Sequence, residues 1–155
     1  MVARLTVKRT RHRKIEPGRL SGPSRVKVGF PASKASKSDI EKAVWNEFGT
    51  RGGASGGGWG GPIPERPFMR NALRNNRNKY RSALRTSARK ILLGETSLST
   101  VLNKLGILAQ GDIQMEITSL NSPPNSAVTI AMKGSSKPLI NTGAMRAAVT
   151  WVVER

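Results

Sequence analysis

The sequence contains no cysteine and a single histidine, His12. Disulfides, thiolate metal sites, a cysteine nucleophile and multi-histidine metal centres are therefore excluded. Acidic residues are scarce, nine in 155, and they are scattered as Glu16, Asp39, Glu41, Glu47, Glu65, Glu95, Asp112, Glu116 and Glu154. Asp39 and Glu41 do not share a helix face. Asp112 and Glu116, at i and i+4, could do so, but beside glycine they read as solvated. With His12 in a basic stretch and no base placed near a nucleophile, the inventory points away from catalysis. Aromatics make up only 5% of the chain, fewer than a surface that stacks bases would carry. No apolar run approaches the roughly 18 residues that span a bilayer. The first fourteen residues carry basic charge without an apolar core, so a secretory leader is not expected and the chain reads as intracellular, soluble and free of cofactors.

Basic charge is abundant. Twenty-seven Lys and Arg oppose the nine acids, a net charge of +18. Nine of these bases lie up to Lys27, nine between Arg66 and Lys90, and nine elsewhere. The first group includes Arg9, Arg11 and Arg13 and is opposed only by Glu16. Such a balance implies an anionic partner, either a polyanion or an acidic protein.

The chain divides into a basic N-terminal arm, residues 1–25, and one α+β domain over 26–155. Ala3, Leu5 and Val7 alternate with polar residues as in a strand, and Val26–Phe30 forms a second strand. A helix follows, with Ser38 as N-cap, Ile40, Ala43, Val44 and Phe48 as its apolar face, and Gly49 as its stop. The glycine-rich stretch over 49–62 reads as a flexible loop that carries Trp59 toward a neighbouring surface. A long helix is expected over about 68–93, with Met69, Leu73, Tyr80, Leu84 and Ile91 on its apolar stripe. Another begins after Ser97, weakened in its middle by Gly106 and Gly111 and ended by Pro123-Pro124. A short helix over 126–133, a loop and a closing strand through Val149, Trp151 and Val153 complete the domain. The expected fold is α+β, with a small antiparallel sheet packed against two long helices.

Arg70, Arg74, Arg77, Arg81, Arg85 and Arg89 recur at spacings of 4, 3, 4, 4 and 4. At roughly 100° per residue they fall within an arc of about 120°. A row of like charges repels itself unless an anion neutralises it. Three readings stay open: a solvated face, a phosphate contact, or a contact with acidic neighbours in an assembly. No helix-turn-helix, zinc or basic-zipper pattern supports sequence-specific DNA readout. Gly56, Gly58 and Gly61 satisfy a G-x-G-x-x-G pattern by composition alone. Without a preceding strand or a Lys-Ser/Thr pair, they do not indicate a nucleotide site.

Three segments carry a family likeness: Trp45-Asn46-Glu47-Phe48-Gly49-Thr50, Ile63-Pro64-Glu65-Arg66-Pro67-Phe68-Met69-Arg70, and Lys137-Pro138-Leu139-Ile140-Asn141-Thr142-Gly143-Ala144-Met145-Arg146. In this order, around a long basic helix, they resemble the virion-morphogenesis or tail-completion proteins of tailed bacteriophages. The likeness covers about 26–155 and leaves the basic arm outside. Asn141 stands where that family usually has an acid before Thr-Gly. Read physically, Trp45, Glu47, Phe48 and Gly49 end a helix, Pro64 and Pro67 stiffen the approach to the next, Phe68 plugs a sheet–helix seam, and Thr142 and Gly143 make a tight turn.

The resemblance implies a non-enzymatic structural protein of the phage neck that completes the tail or joins it to the head. It implies self-assembly into a ring, expected as a hexamer, beside neighbours such as a tail terminator or a head-closure ring. Genomic DNA in the channel is a further expected partner. Such a protein is made in the host cytoplasm and ends in the virion. The competing expectation is a sequence-independent nucleic-acid-binding protein.

Overall fold

The computed structural model describes residues 22–52 and 61–155. The expected strand at Ala3–Val7, the arm residues Arg9, Arg11 and Arg13, and Trp59 lie outside the described residues. Strand β1 (Arg25–Gly29) leads to helix α1 (Lys37–Phe48), then α2 (Phe68–Asn75), α3 (Arg77–Leu92), α4 (Leu98–Ser119), α5 (Ala127–Lys133) and α6 (Ala144–Ala147). Strand β2 (Thr150–Glu154) closes the chain. The architecture is mixed helix and strand, with a two-stranded antiparallel sheet and six helices among the described residues. The strands join the two ends of the domain, in a register that runs from Arg25 opposite Glu154 to Gly29 opposite Thr150.

Helix α4 is the central element, packed against both strands and against α2. Its Ile113 and Ile117 are fully buried beside Phe68 and Ala72 of α2, Ala43 of α1, and Leu139, Met145 and Val149 from the C-terminal segment. Phe68 also meets Phe30 edge to face, with ring centroids 6.3 Å apart and planes at 85°. It therefore fills the seam between the sheet and the helices, as its place after Pro67 suggests. No described helix is long and apolar enough to cross a membrane.

Several expectations are corrected. The segment over 68–93 is not one long helix. At Asn76 (φ −101°, ψ 7°) it breaks into α2 and α3. There the Asn76 side chain donates to the Ala72 carbonyl at 2.9 Å, a local bond that competes with helix continuation. Leu73 and Leu84, placed on the buried stripe, are exposed, because α2 buries Phe68 and Ala72 and α3 only Ile91. Helix α1 starts two residues earlier than read. Its N-cap is Ser36, which accepts from the Asp39 backbone N–H at 3.1 Å and donates to the Asp39 carboxylate at 2.7 Å. Ser38 followed by Glu41 offers a similar pairing, but Ser36 receives the chain from a turn in which Lys34 and Ala35 bond the Pro31 carbonyl. The buried face of α1 is Ala43 and Glu47, while Val44 and Phe48 face outward. A four-residue helix, α6, forms where a loop was expected.

The two glycines inside α4 do not interrupt it. Gly106 lies under the Trp151 indole, where a Cβ would come 2.5 Å from Cγ. Trp151 Nε1 also donates to Asn103 Oδ1 of α4 at 3.1 Å. Glycine at 106 thus lets β2 lie close to the helix. Gly111 has no neighbour within 4 Å of a Cβ position.

The two substitutions should separate. Gly111→Ala is expected to stabilise the domain by about 0.5–1 kcal/mol, from helix propensity alone. Gly106→Ala is expected to cost about 1–3 kcal/mol through overpacking against Trp151. Chemical denaturation of the two variants checks both signs.

Candidate functional site

The segments that carry the family likeness meet in space. Glu47 sits in the last turn of α1, buried at 4% exposure, and its carboxylate is directed at the start of α2. There the first backbone N–H groups of a helix lack partners within the helix, and Pro67 at the N-cap supplies no side-chain acceptor. Glu47 fills that role from a distance, accepting from Met69 N at 2.9 Å and Arg70 N at 3.1 Å. The Arg70 side chain folds back onto the same residue, Nε to the Glu47 carboxylate at 2.9 Å and Nη2 to the Glu47 carbonyl at 2.6 Å. It also pairs with Glu65. Hydrogen bonds to Glu47 and then Glu65 raise the Arg70 pKa further above its ordinary value. The guanidinium lies 5.2 Å from the Phe48 ring centroid, a cation–π contact that gives the exposed ring its partner.

Gly49, at φ +71°, then reverses the chain, and a Cβ there would press within 3.0 Å of the Ile63 carbonyl. Thr50 and Ile63 bond to each other across the base of the glycine-rich segment, at 2.9 and 3.1 Å. Of that segment, expected as a loop over 49–62, residues 53–60 lie outside the described residues.

Sequence reasoning missed Arg66. It is 3% exposed and bonds to no carboxylate among the described residues. Nε donates to Pro123 O at 2.8 Å, Nη1 to Asn46 Oδ1 at 3.0 Å, and Nη2 to Pro124 O and Asn125 Oδ1, both at 3.1 Å. Burial pushes this guanidinium below its ordinary value, yet a guanidinium stays protonated at any pH a protein tolerates. Lys133 of α5 repeats the device. Its ammonium donates to the Lys137 and Pro138 carbonyls at 3.0 and 3.1 Å, and burial first, then the charge of Arg66, lower its pKa. The only signal in the sequence was the clustering of prolines at 62, 64, 67, 123, 124 and 138, whose carbonyls can accept while their nitrogens cannot donate.

Asn46, Pro64, Arg66, Lys133, Leu139 and Thr142 face a cleft of about 950 Å³, so all three motif segments border one space. Beside it Val128 and Met132 of α5 stand exposed. Gly143 (φ +82°) opens α6, and Thr142 Oγ1 accepts from Ala144 N at 3.3 Å, so the turn closes with no acid at Asn141.

The six-arginine stripe divides. Arg70 is withdrawn from it into the Glu47 cluster. Arg74, Arg77, Arg81, Arg85 and Arg89 are exposed, and none pairs with a described acid. Asp112, read as solvated, is mostly buried and engaged. It accepts from Lys79 at 2.7 Å and from the Tyr80 hydroxyl at 2.8 Å, which ties α3 to α4. Burial first, and the bond to Asp112 second, push the Tyr80 phenol well above its ordinary value near 10.

Compared with known protein families, curated proteins and solved structures, the chain matches none.

Two measurements test this geometry. Glu47→Ala should cost about 2 kcal/mol or more, from a lost helix cap and lost charge-assisted hydrogen bonds. Glu65→Ala, at a half-exposed position, should cost far less in the same urea titration. Tyr80 also makes stability depend on pH. Its folded pKa is raised, so its contribution is complete below about pH 10 and falls as pH climbs from there toward the folded value. The stability difference between the wild type and Tyr80→Phe should be flat from neutral pH to about 9 and then shrink.

Proposed function

We propose that this protein is a structural subunit of the neck of a tailed bacteriophage, completing the tail or joining tail to head without catalysis. The observation that carries the reading is the convergence of its three family-like segments. Asn46, Glu47 and Phe48, the 63–70 segment and the 137–145 segment are far apart in sequence, yet the first two interlock through Glu47 and Arg66 and all three border one cleft. The subunit is proposed to form a ring, a hexamer in the reading the likeness favours, stacked between neighbours such as a tail terminator and a head-closure ring. It would be made in the host cytoplasm and retained in the virion. Exposed apolar side chains suit such packing, among them Ile107, Met115, Val128 and Met132, each more than half exposed in the isolated chain. The alternative, a free sequence-independent nucleic-acid-binding protein, draws on the exposed arginines of α3 alone.

Electron microscopy of particles assembled without this protein tests the reading. Full heads with unattached or overlong tails are the expected result. Normal joined particles would overturn it.

A further inference from the structure

Helix α3 is an unusual element for a small domain. Of its 16 residues only Ile91 is buried. Four exposed arginines, Arg77, Arg81, Arg85 and Arg89, follow one another at every fourth position along it. At about 100° and 1.5 Å per residue they drift across an arc of about 120° and cover a row roughly 18 Å long. Ile91 and Tyr80, which bind α3 to the body, lie on a different side of the helix from the centre of this arc. Within the arc, the other side chains are Asn78, Ala88 and the half-buried Leu92 of the last turn, and Ser82 and the exposed Leu84 stand at its two borders. The exposed part of the face is thus dominated by the four guanidinium groups. No acid occurs between Arg66 and Gly94 to neutralise it, so each i,i+4 arginine pair costs the free helix a few tenths of a kcal/mol.

We propose that this face of α3 docks on the phosphate backbone of double-stranded DNA, without regard to sequence. This inference does not rest on the neck reading and would hold for a protein acting elsewhere. The chemistry selects among polyanions. An acidic protein partner needs apolar or aromatic anchors at the centre of its contact, and this arc offers only Leu84 at its border and Leu92, half-buried at its C-terminal end. A single strand needs exposed aromatics for base stacking, but the one aromatic of α3, Tyr80, is bound to Asp112. Arginine with small hydroxyl and amide side chains is the donor set that contacts phosphate oxygens in duplex complexes. The major groove of B-form DNA, about 12 Å wide, admits a helix of this exposure, whereas the deep, narrow groove of an A-form duplex does not. Each phosphate neutralised releases condensed counterions, so affinity must fall with salt in proportion to the number of arginines engaged.

The test uses the full-length chain and a labelled DNA duplex of mixed sequence, with binding followed by anisotropy across a sodium chloride series. Two triple variants carry the same change in net charge. One is Arg81→Gln, Arg85→Gln, Arg89→Gln on the helix. The other is Lys34→Gln, Lys104→Gln, Arg146→Gln, at exposed positions elsewhere that pair with no described acid. The basic residues up to Lys27 are present in all three proteins, so their contribution cancels. The helix variant should lower the slope of log affinity against log salt by roughly 2.7, about 0.9 per arginine, and weaken binding at least tenfold at low salt. The control should lose less than one unit of slope. A single Arg85→Gln variant, expected to lose about 0.9, guards against a folding defect in the triple. Equal losses in both triples would overturn the proposal. So would a wild type that does not bind the duplex, or displacement by polyglutamate or single-stranded DNA as effective as by unlabelled duplex.

Discussion

A carboxylate taken out of water must find enough donors to replace its hydration, and Glu47 sets much of this structure by doing so. Its partners come from one short stretch, two backbone N–H groups of α2 and the Arg70 side chain. That requirement fixes the end of α1 against the start of α2 and rotates α1 about its axis. With Glu47 inward, Ala43 also turns inward, and Val44 and Phe48 turn out. Phe48 is then available to lie beside the Arg70 guanidinium, and Gly49 must turn the chain back within one residue. The charge on Glu47 and the partial positive charge at the α2 N-terminus also attract each other, which further offsets the cost of burial.

The scarcity of acids explains the second device. Six of the nine, Asp39, Glu41, Glu47, Glu65, Asp112 and Glu154, are already bonded within the described structure. Buried cations elsewhere must find neutral acceptors. Arg66 and Lys133 take carbonyl oxygens from turns rich in proline, and those turns offer acceptors without competing donors. Arg66 holds distant parts of the chain together, linking the approach to α2 with residues 123–125, while Lys133 closes the local turn from α5 to 137–138. These fixed turns border the cleft, so its shape depends on two positive charges that bond no carboxylate among the described residues.

What could be read from the sequence was governed by local chemistry. Ser97 as the cap of α4, Gly49 as the stop of α1, Phe68 as a core plug and the closing strand at Trp151 each follow from a residue type acting on its neighbours. Errors arose where tertiary contacts decided between local options. Gly106 looked like a weakness in α4 because nothing nearby in sequence announces Trp151, 45 residues on. The apolar face of α1 was misread because a buried Glu is invisible to hydrophobic periodicity. The break at Asn76 follows from a side-chain bond to Ala72 that an uninterrupted helical pattern conceals. Arg66 passed as one more surface base, since burial of an arginine without an acid has no sequence signature.

The net charge of +18 is best understood by position. Lys27, Arg66, Arg70, Lys79 and Lys133 are used within the described structure, bonded to carboxylates or carbonyls. Subtracting them leaves the surplus unevenly distributed, with Arg77, Arg81, Arg85 and Arg89 in a row on a helix that buries a single residue, Ile91. Their repulsion disfavours the helix that carries them, and that helix has little burial with which to offset it. A helix stabilised chiefly through its contacts at Tyr80, Lys79 and Ile91 is held in place by one side and leaves its charged side free. Neutralisation by an external polyanion would remove the repulsion and stabilise α3 at the same time. Binding and helix stability are therefore coupled on this face, and the same arginines that weaken the isolated helix would strengthen it when bound.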